Sequence, residues 1–546
     1  MKKIKIYILL LFLPWFMSAC NDYLKEDSAD LLIPSLVNDY VPILLGEAYP
    51  DNFSSQIDWT YLMTDDIEMG PLYYDESMYN NSKVTIIDGF DPSMGDGEVL
   101  YTWWADYSNY IADKFWDARY KNILACNIVI DALPDMKYEE SEYGTYCKLA
   151  AQSYALRAYH YFCLVNTYGT PWSEENKNKL GVIKRISPEV DVRATERATV
   201  GEIYTLINED LKYAQQYLKN ASTNYSKWEI TPAAIYFLAS RVALFQEDWD
   251  EVIRTSGEFM ELGENALYDL NNVDRELCGL PNSTNGGFWI NQIDISETVF
   301  LFSKEDKRYQ YLAPNLYYSN YTLGYHPSWT GEGALLNLYE DGDLRKEVYF
   351  ARLFKLGGTR LRPEYFSGQA YPMKSDTYMS TSSGQARECW RSPEVYLNVA
   401  EAYARKDNNV SQVAIDLLNQ VRIKKFSSDA YQAISVSDFA SRDELIRFIW
   451  EERRRELCFE EAMRFWDMRR QGMPRVEHKY YSSMNSSKTY VNWEILPSNY
   501  LVERLDRWRN RFTRFMKSTD RSCCMILIRR SFTRHGTGGS CTGMPR

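Results

Sequence analysis

The stretch AQSYALRAYHYFCLV, Ala151–Val165, carries the clearest period in the chain. Tyr154, Ala158, Tyr161 and Val165 recur at i, i+4, i+7 and i+11, which predicts a helix with one apolar stripe. The pattern stops at Tyr168-Gly169-Thr170-Pro171, a Gly/Pro terminator. Downstream, Thr199 with Glu202 three residues on forms a capping box, and Ile203, Leu206, Ile207 and Leu211 give the next helix its apolar face.

The same outline then recurs. Thr231-Pro232 opens a helix lined by Ala234, Leu238, Val242 and Phe245, and Asp248-Trp249-Asp250 starts its partner. Ser392-Pro393 opens another, with Val395, Val399, Ala402 and Tyr403 on its face. A polar turn at 406–409 leads on to Ala414, Leu417, Leu418 and Val421. A last helix is predicted over 443–471. Short amphipathic pairs with Ala and Tyr at the contacts, irregularly spaced, resemble degenerate tetratricopeptide hairpins. The expected fold is therefore all-α, a right-handed superhelical scaffold of such hairpins. Two regions interrupt it. Residues 51–102 and 265–391 are rich in Gly, Pro, Ser, Asn and aromatics with little period, and loops of that length in an ordered protein usually carry function.

Composition narrows the partners. A net charge of −13 opposes nucleic-acid binding, which draws on clustered Lys and Arg. Of the aromatics, 43 are Tyr and 15 Trp against 23 Phe, so most carry a polar edge suited to half-wet surfaces. Such rings stack on sugars, and they also build half-buried helix seams.

The first residues set the compartment. Lys2, Lys3 and Lys5 precede an apolar run, Ile6–Phe16, broken by Pro14 and too short for a bilayer span of about 20 residues. Met17-Ser18-Ala19-Cys20 resembles the bacterial lipobox, with Met where Leu is usual. Residues 1–19 are thus expected to be a lipoprotein signal peptide and Cys20 the lipidated first residue, its acyl chains giving durable anchoring. The acidic run Asn21–Asp27 reads as a tether. Cys126, Cys147, Cys163 and Cys458 sit in apolar helical patterns and read as buried hydrophobes, without CxxC pairs or metal-ligand spacing to the four histidines. No cofactor, metal or disulfide framework is expected.

Five blocks, in order, carry a family resemblance. They are Trp116-x3-Tyr120-x2-Ile123-x3-Asn127; Ala155-Leu156-Arg157-Ala158-Tyr159-x-Tyr161-Phe162 with Tyr168-Gly169-x-Pro171; Thr231-Pro232-Ala233-Ala234 with Asp248-Trp249; Glu394-Val395-Tyr396-Leu397-Asn398-x-Ala400-Glu401-Ala402 with Leu418-Asn419-x-Val421-Arg422; and Glu452-Arg453-Arg454-Arg455-Glu456-Leu457-x-Phe459-Glu460 with Arg464-x2-Asp467-Met468-Arg469-Arg470-x-Gly472. Together with the lipobox they resemble the SusD/RagB family of surface glycan-binding lipoproteins, over Cys20 to about Pro474. The resemblance implies four tetratricopeptide-like units and residence at the outer membrane, facing the exterior. It also implies a TonB-dependent SusC-like transporter on which the protein sits as a lid. Ligands in the family are mostly oligosaccharides, with peptides in some members. The blocks themselves read as structural. Arg453–Arg455 with Glu456, Glu460 and Glu461 are expected to pair along one helix, and Asn127 and Asn398 to be satisfied by nearby backbone.

No HExxH, GxSxG, Walker or GxGxxG motif supports catalysis. Two carboxylates suffice for a glycosidase, and 75 Asp and Glu make chance pairs unavoidable. The expectation is a binder and not an enzyme, with a peptide-binding relative or a glycoside hydrolase as alternatives. Candidate ligand contacts are loop aromatics beside Gly, Pro or Asn or at loop edges: Tyr73, Tyr74, Trp103, Trp104, Trp289, Tyr325 and Trp329.

The helical binding domain is expected over 20–500. Residues 501–546 differ, with eleven Lys or Arg against three Asp or Glu and an adjacent pair at Cys523-Cys524. They read either as a basic contact tail or as sequence out of frame from near Tyr500. The paired cysteines and isolated Trp and Phe favour the second.

Overall fold

A computed structural model describes residues 34–50, 58–71, 100–103, 110–189, 196–275, 290–302, 323–328, 331–351 and 388–483. Shorter pieces lie at 278, 288, 355–356, 359–360, 371–372 and 486–491. The signal segment, Cys20 and the tail after Tyr500 lie outside the described residues.

The scaffold is helical, as expected. In chain order the main helices are α1 Val37–Ile43, α2 Tyr110–Ala132, α3 Tyr143–Tyr168, α4 Val200–Leu218 and α5 Pro232–Phe245. They continue as α6 Trp249–Glu261, α7 Pro393–Lys406, α8 Gln412–Lys425, α9 Arg442–Leu457 and α10 Met463–Arg470. Neighbours in sequence pack as hairpins, α3 on α4, α5 on α6 and α7 on α8, and α7 joins the units by packing on α6 and α9.

The caps explain where several helices begin. Thr199 Oγ1 accepts from Glu202 N at 3.1 Å while Thr199 N donates to the Glu202 carboxylate at 2.7 Å, a reciprocal capping box. Thr231 and Asp248 accept from Ala234 N and Glu251 N, both at 3.1 Å. Ser392 departs from the pattern, because its hydroxyl donates instead to the Glu297 and Glu264 carbonyls at 3.2 and 3.3 Å.

The α3 helix is more buried than its stripe suggested. From Leu149 to Tyr168 every side chain but Tyr154 is buried, so α3 is a central helix covered all round. It ends where Gly169 turns extended, φ −82° and ψ 170°, and a Cβ there would lie 2.7 Å from the Val165 carbonyl oxygen, which reserves the position for glycine.

Two expectations need correction. The last helix, read as continuous over 443–471, breaks between Leu457 and Met463, where Phe459 and Glu461 adopt positive φ of 57° and 45°. The break turns Glu460 and Glu461 inward onto Arg391 and Arg241. The two insertions are also less irregular than expected. Short strands run β1 Ile67–Pro71, β4 Thr298–Phe302, β5 Leu323–Pro327 and β6 Glu388–Arg391 within the insertions, and β2 Leu180–Ile183, β3 Arg197–Thr199, β7 Glu477–Ser483 and β8 Ser486–Val491 outside them. They pair antiparallel as β1–β5, β2–β3, β4–β6 and β7–β8, so β1–β5 zips the first insertion to the second. The β4–β6 pair brings Trp390 into the core, stacked on Phe237 at 5.1 Å and edge-on to Phe300 and Tyr159.

A buried ion network ties these elements together. Arg391 of β6 donates to Glu297, Glu456 and Glu460 at 2.6, 2.7 and 2.5 Å. Arg345 reaches Asp343 and Glu452, both at 2.7 Å, and Lys425 reaches Glu297 at 2.7 Å. Arg241 of α5 bridges Glu394 of α7 and Glu461, each at 2.6 Å. The Arg453–Arg455 run therefore does not work mainly along its own helix. Arg455 does pair with Glu452 at 2.8 Å, but Arg453 reaches Asp467 at 2.7 Å and Arg454 reaches Asp66 at 2.6 Å. The two asparagines likewise use partners far along the chain. Asn127 bridges the Arg185 carbonyl and Arg157 at 3.1 and 2.9 Å, and Asn398 bridges Ser240 and Arg453 at 3.2 and 2.6 Å. Desolvating so many charges costs several kcal/mol per ion, so the network adds little net stability while fixing one relative placement of the helices.

Cys126, Cys147, Cys163 and Cys458 are buried and form no disulfide among the described residues, and burial pushes the Cys163 thiol up to about 12. No helix among the described residues is long and apolar enough to cross a membrane.

Candidate functional site

The two insertions meet over one arginine pair from the fifth sequence block. Arg464 of α10 grips the Asp65 carboxylate with two bonds, at 2.7 and 2.6 Å. Arg454 of α9 takes the Asp66 carboxylate at 2.6 Å and the Asp65 and Gly333 carbonyls at 3.0 and 2.8 Å. It thus holds the first insertion at 65–66 and the second at 333 with one guanidinium. Ser328 completes the joint, its N–H on the Asp66 carbonyl and its hydroxyl on the Asp65 carbonyl, both at 2.7 Å. Burial alone would raise the Asp65 pKa, yet Arg454 and Arg464 outweigh it and hold that carboxyl well below the usual range. On its neighbour Asp66 burial prevails and the pKa rises.

From this joint β1 runs beside β5 in the register Ile67↔Pro327 through Pro71↔Leu323. The Met69 N–H donates to the Tyr101 hydroxyl at 2.8 Å, which pins the 100–103 turn to the strand. Under it lies a three-ring stack. The His478 imidazole sits between Tyr101 and Trp103, with 4.1 Å between centroids on each side and interplanar angles of 7° and 14°. Its ring nitrogens face the Tyr101 and Thr64 carbonyl oxygens at 2.7 and 2.9 Å. A neutral imidazole donates to only one of two carbonyls, so these contacts favour the proton. Burial is the larger effect and drives the His478 pKa down to about 4.

The candidate aromatics divide unevenly. Trp103, expected at the surface, is fully buried: its indole packs on His478, its N–H donates to the Met63 carbonyl at 3.4 Å, and its backbone takes a positive φ of 51°. This ring is part of the core. Tyr325 lies on β5 opposite Met69 of β1. Tyr73, Tyr74, Trp104, Trp289 and Trp329 lie outside the described residues. His478 was not foreseen, because a single His in a polar stretch gives no signal until Tyr101 and Trp103 close on it. Among the described residues no group of three or more His, Cys, Asp or Glu is placed to hold a metal ion.

Comparison with known proteins agrees with this architecture. The profile of a family described as "Starch-binding associating with outer membrane" matches residues 49–244, and the SusD family profile matches 302–526. The SusD-like protein P2 of Formosa agariphila is 24% identical over 399 residues, 66% of this chain and 72% of that protein. A SusD superfamily protein from Bacteroides thetaiotaomicron shares the fold at TM-score 0.59 and 19% identity, over 82% of this chain and 92% of its own. A SusD-like carbohydrate binding protein from Bacteroides vulgatus does so at TM-score 0.55 and 17% identity, over 84% and 89%. The five blocks in order, the helical hairpins they build and these matches lead to one assignment: the chain belongs to the SusD/RagB family.

Proposed function

We propose that this protein is a lipoprotein of the outer membrane, anchored through Cys20 and facing outward. In this reading it binds an oligosaccharide or polysaccharide without cleaving it, and delivers it to a TonB-dependent SusC-like transporter. The family and the carbohydrate-binding relative support the ligand class.

One structural observation carries the placement of the site. Tyr73 and Tyr74 follow Pro71 by two and three residues, Trp104 follows Trp103, and Trp329 follows Ser328. Tyr325 lies on β5 itself. A chain spans at most about 3.6 Å per residue. Five of the seven candidate aromatics therefore lie on, or within three residues of, the β1–β5 ladder, the 100–103 turn or Ser328, the elements that meet at the joint Arg454 and Arg464 hold. Tyr and Trp rings suit a sugar chain, with faces for its C–H surfaces and polar edges for its hydroxyls. The Trp289 candidate lies apart from this group in sequence.

The test is calorimetry of the full-length protein against a panel of neutral and acidic polysaccharides. Comparison is with Tyr73→Ala/Tyr74→Ala and Trp329→Ala. Exposed stacking sites give micromolar to millimolar affinities, roughly −8 to −4 kcal/mol. Each variant is expected to weaken binding while helical circular dichroism stays intact. Unchanged affinity in both would move the site elsewhere, and binding to peptides alone would replace the glycan reading.

A further inference from the structure

Away from the joint, two hollows flank the turn between α5 and α6. One, of about 410 Å³, is walled by Trp172 and Trp249, with Gln246, Asp248, Asp250 and Lys406 among its lining. The other, of about 330 Å³, has Leu211, Ala239 and Ala243 as its apolar part and Asn208, Lys212 and Gln215 among its polar groups. They share Gln246 and Asp248, so a single ridge divides one continuous groove. We propose that this groove is a second saccharide subsite, specific for a neutral sugar chain laid across the α5–α6 turn. It rests on the glycan-binding reading only for the class of ligand.

The ridge is rigid. Asp248 N–H donates to the Ala243 carbonyl at 3.0 Å, Glu247 N–H to the Leu244 carbonyl at 3.1 Å, and the Asp248 carboxylate caps α6 at Glu251 N. Glu247 takes a positive φ of 57° to make the turn. The walls are built in the same way. Trp172 meets Tyr204 edge-on at 5.1 Å, and the Arg405 guanidinium lies 5.6 Å from the centre of the Trp249 ring. Both indoles remain half-buried, and among the described residues neither indole N–H meets an acceptor. Gln246 accepts from Asn208 at 2.9 Å, and its own amide N–H groups have no acceptor among the described residues. The groove therefore sets two half-buried indoles among mostly polar and charged side chains on a fixed frame, rings for a sugar's C–H face and polar groups for its hydroxyls. Trp172 and Trp249 directly follow or complete sequence blocks read as purely structural, and the fold leaves both partly open.

Charge selects the ligand further. The tryptophan hollow carries Glu174, Glu247, Asp248 and Asp250 against Lys406. Lys406 is bonded to Asp250, and Glu174 to Lys177 at 2.6 Å, which leaves the hollow acidic. A uronate or sulfated chain is repelled there, whereas a neutral one offers hydroxyl donors to the carboxylates.

The experiment is fluorine NMR of the full-length protein labelled with 5-fluorotryptophan, the two resonances being assigned through Trp172→Phe and Trp249→Phe. Maltohexaose, cellohexaose, xylohexaose, mannohexaose and hexagalacturonate are titrated in turn, with calorimetry on the same samples. Both resonances are expected to shift saturably with at least one neutral hexaose and not with hexagalacturonate. In Trp249→Ala the midpoint read at Trp172 should rise about tenfold, the loss of one stacking contact. Binding heat from a neutral hexaose with either resonance unmoved overturns the subsite and leaves the glycan-binding reading intact. A shift with hexagalacturonate overturns the selectivity. Neither heat nor shift with any of the five overturns both readings.

Discussion

Arg241→Met probes the device that sets the helices of this fold in place. The side chain is fully buried and donates three charge-assisted bonds, two to Glu394 at 2.7 and 2.6 Å and one to Glu461 at 2.6 Å. Methionine fills much of the volume and removes the charge. Glu394 keeps Arg453 at 3.6 Å, whereas Glu461 keeps as hydrogen-bond donors the neutral Tyr159 and Trp390, at 2.6 and 3.0 Å, with Arg119 acting on it electrostatically. One buried carboxylate thus loses its hydrogen-bonded cation, and breaking a buried pair from one side costs about 3–5 kcal/mol. Unfolding entropy of about 2.1 cal/mol/K per residue makes roughly 1 kcal/mol/K for a folded body of this length. The melting temperature should therefore fall by about 3–5 °C in calorimetry. Arg241→Met/Glu461→Gln removes the stranded charge and keeps an acceptor for Tyr159. It should recover about 1–3 kcal/mol relative to additivity. A single-variant loss under about 1 kcal/mol, or strictly additive variants, would refute the argument that an uncompensated carboxylate drives the loss.

Three further outcomes follow from other parts of the molecule. Cys20→Ala should move the protein from the membrane to the soluble fraction, and retention through detergent-free washing would refute the anchor. Trp103→Ala should lower stability by about 3–5 kcal/mol as a core truncation, whereas Trp104→Ala should weaken glycan binding and leave the melting temperature unchanged; the reverse pattern would contradict the placement of Trp103. The His478 pKa, pushed down to about 4 by burial, makes its contribution complete above about pH 6.5 and lost as the pH falls toward 4, and Asp65, held low by Arg454 and Arg464, adds a loss below about pH 4. Urea unfolding should show that slope in the wild type and a flatter one in His478→Gln between about pH 6.5 and 4. An NMR-titrated His478 pKa above 6.5 would mean that the two carbonyls outweigh burial.

Local signals in the sequence were enough for the scaffold. Caps at Thr199, Thr231 and Asp248 act between residues three apart, and the apolar period of α4 is a property of one helix, so both read directly from the chain. What escaped depends on partners far along the chain. The break at 458–462 is dictated by Arg241 and Arg391, and nothing in 443–471 itself stops the helix. The β1–β5 ladder joins residues some 250 apart, and Asp65 and Asp66 are fixed by Arg464 and by Arg454, the latter read in the sequence as paired along its own helix. Trp103 shows the same limit from the other side. Beside a loop edge its ring reads as exposed, and only the return of His478 buries it.

The most direct test of the binding reading measures capture and turnover in one sample. Purified protein is incubated with the polysaccharide that calorimetry selects, and released reducing ends are counted over hours alongside the binding isotherm. Saturable micromolar to millimolar binding with no reducing ends above buffer is the expected result. Reducing ends that accumulate in proportion to protein, and vanish when a single carboxylate is replaced, would contradict it and make the protein a hydrolase.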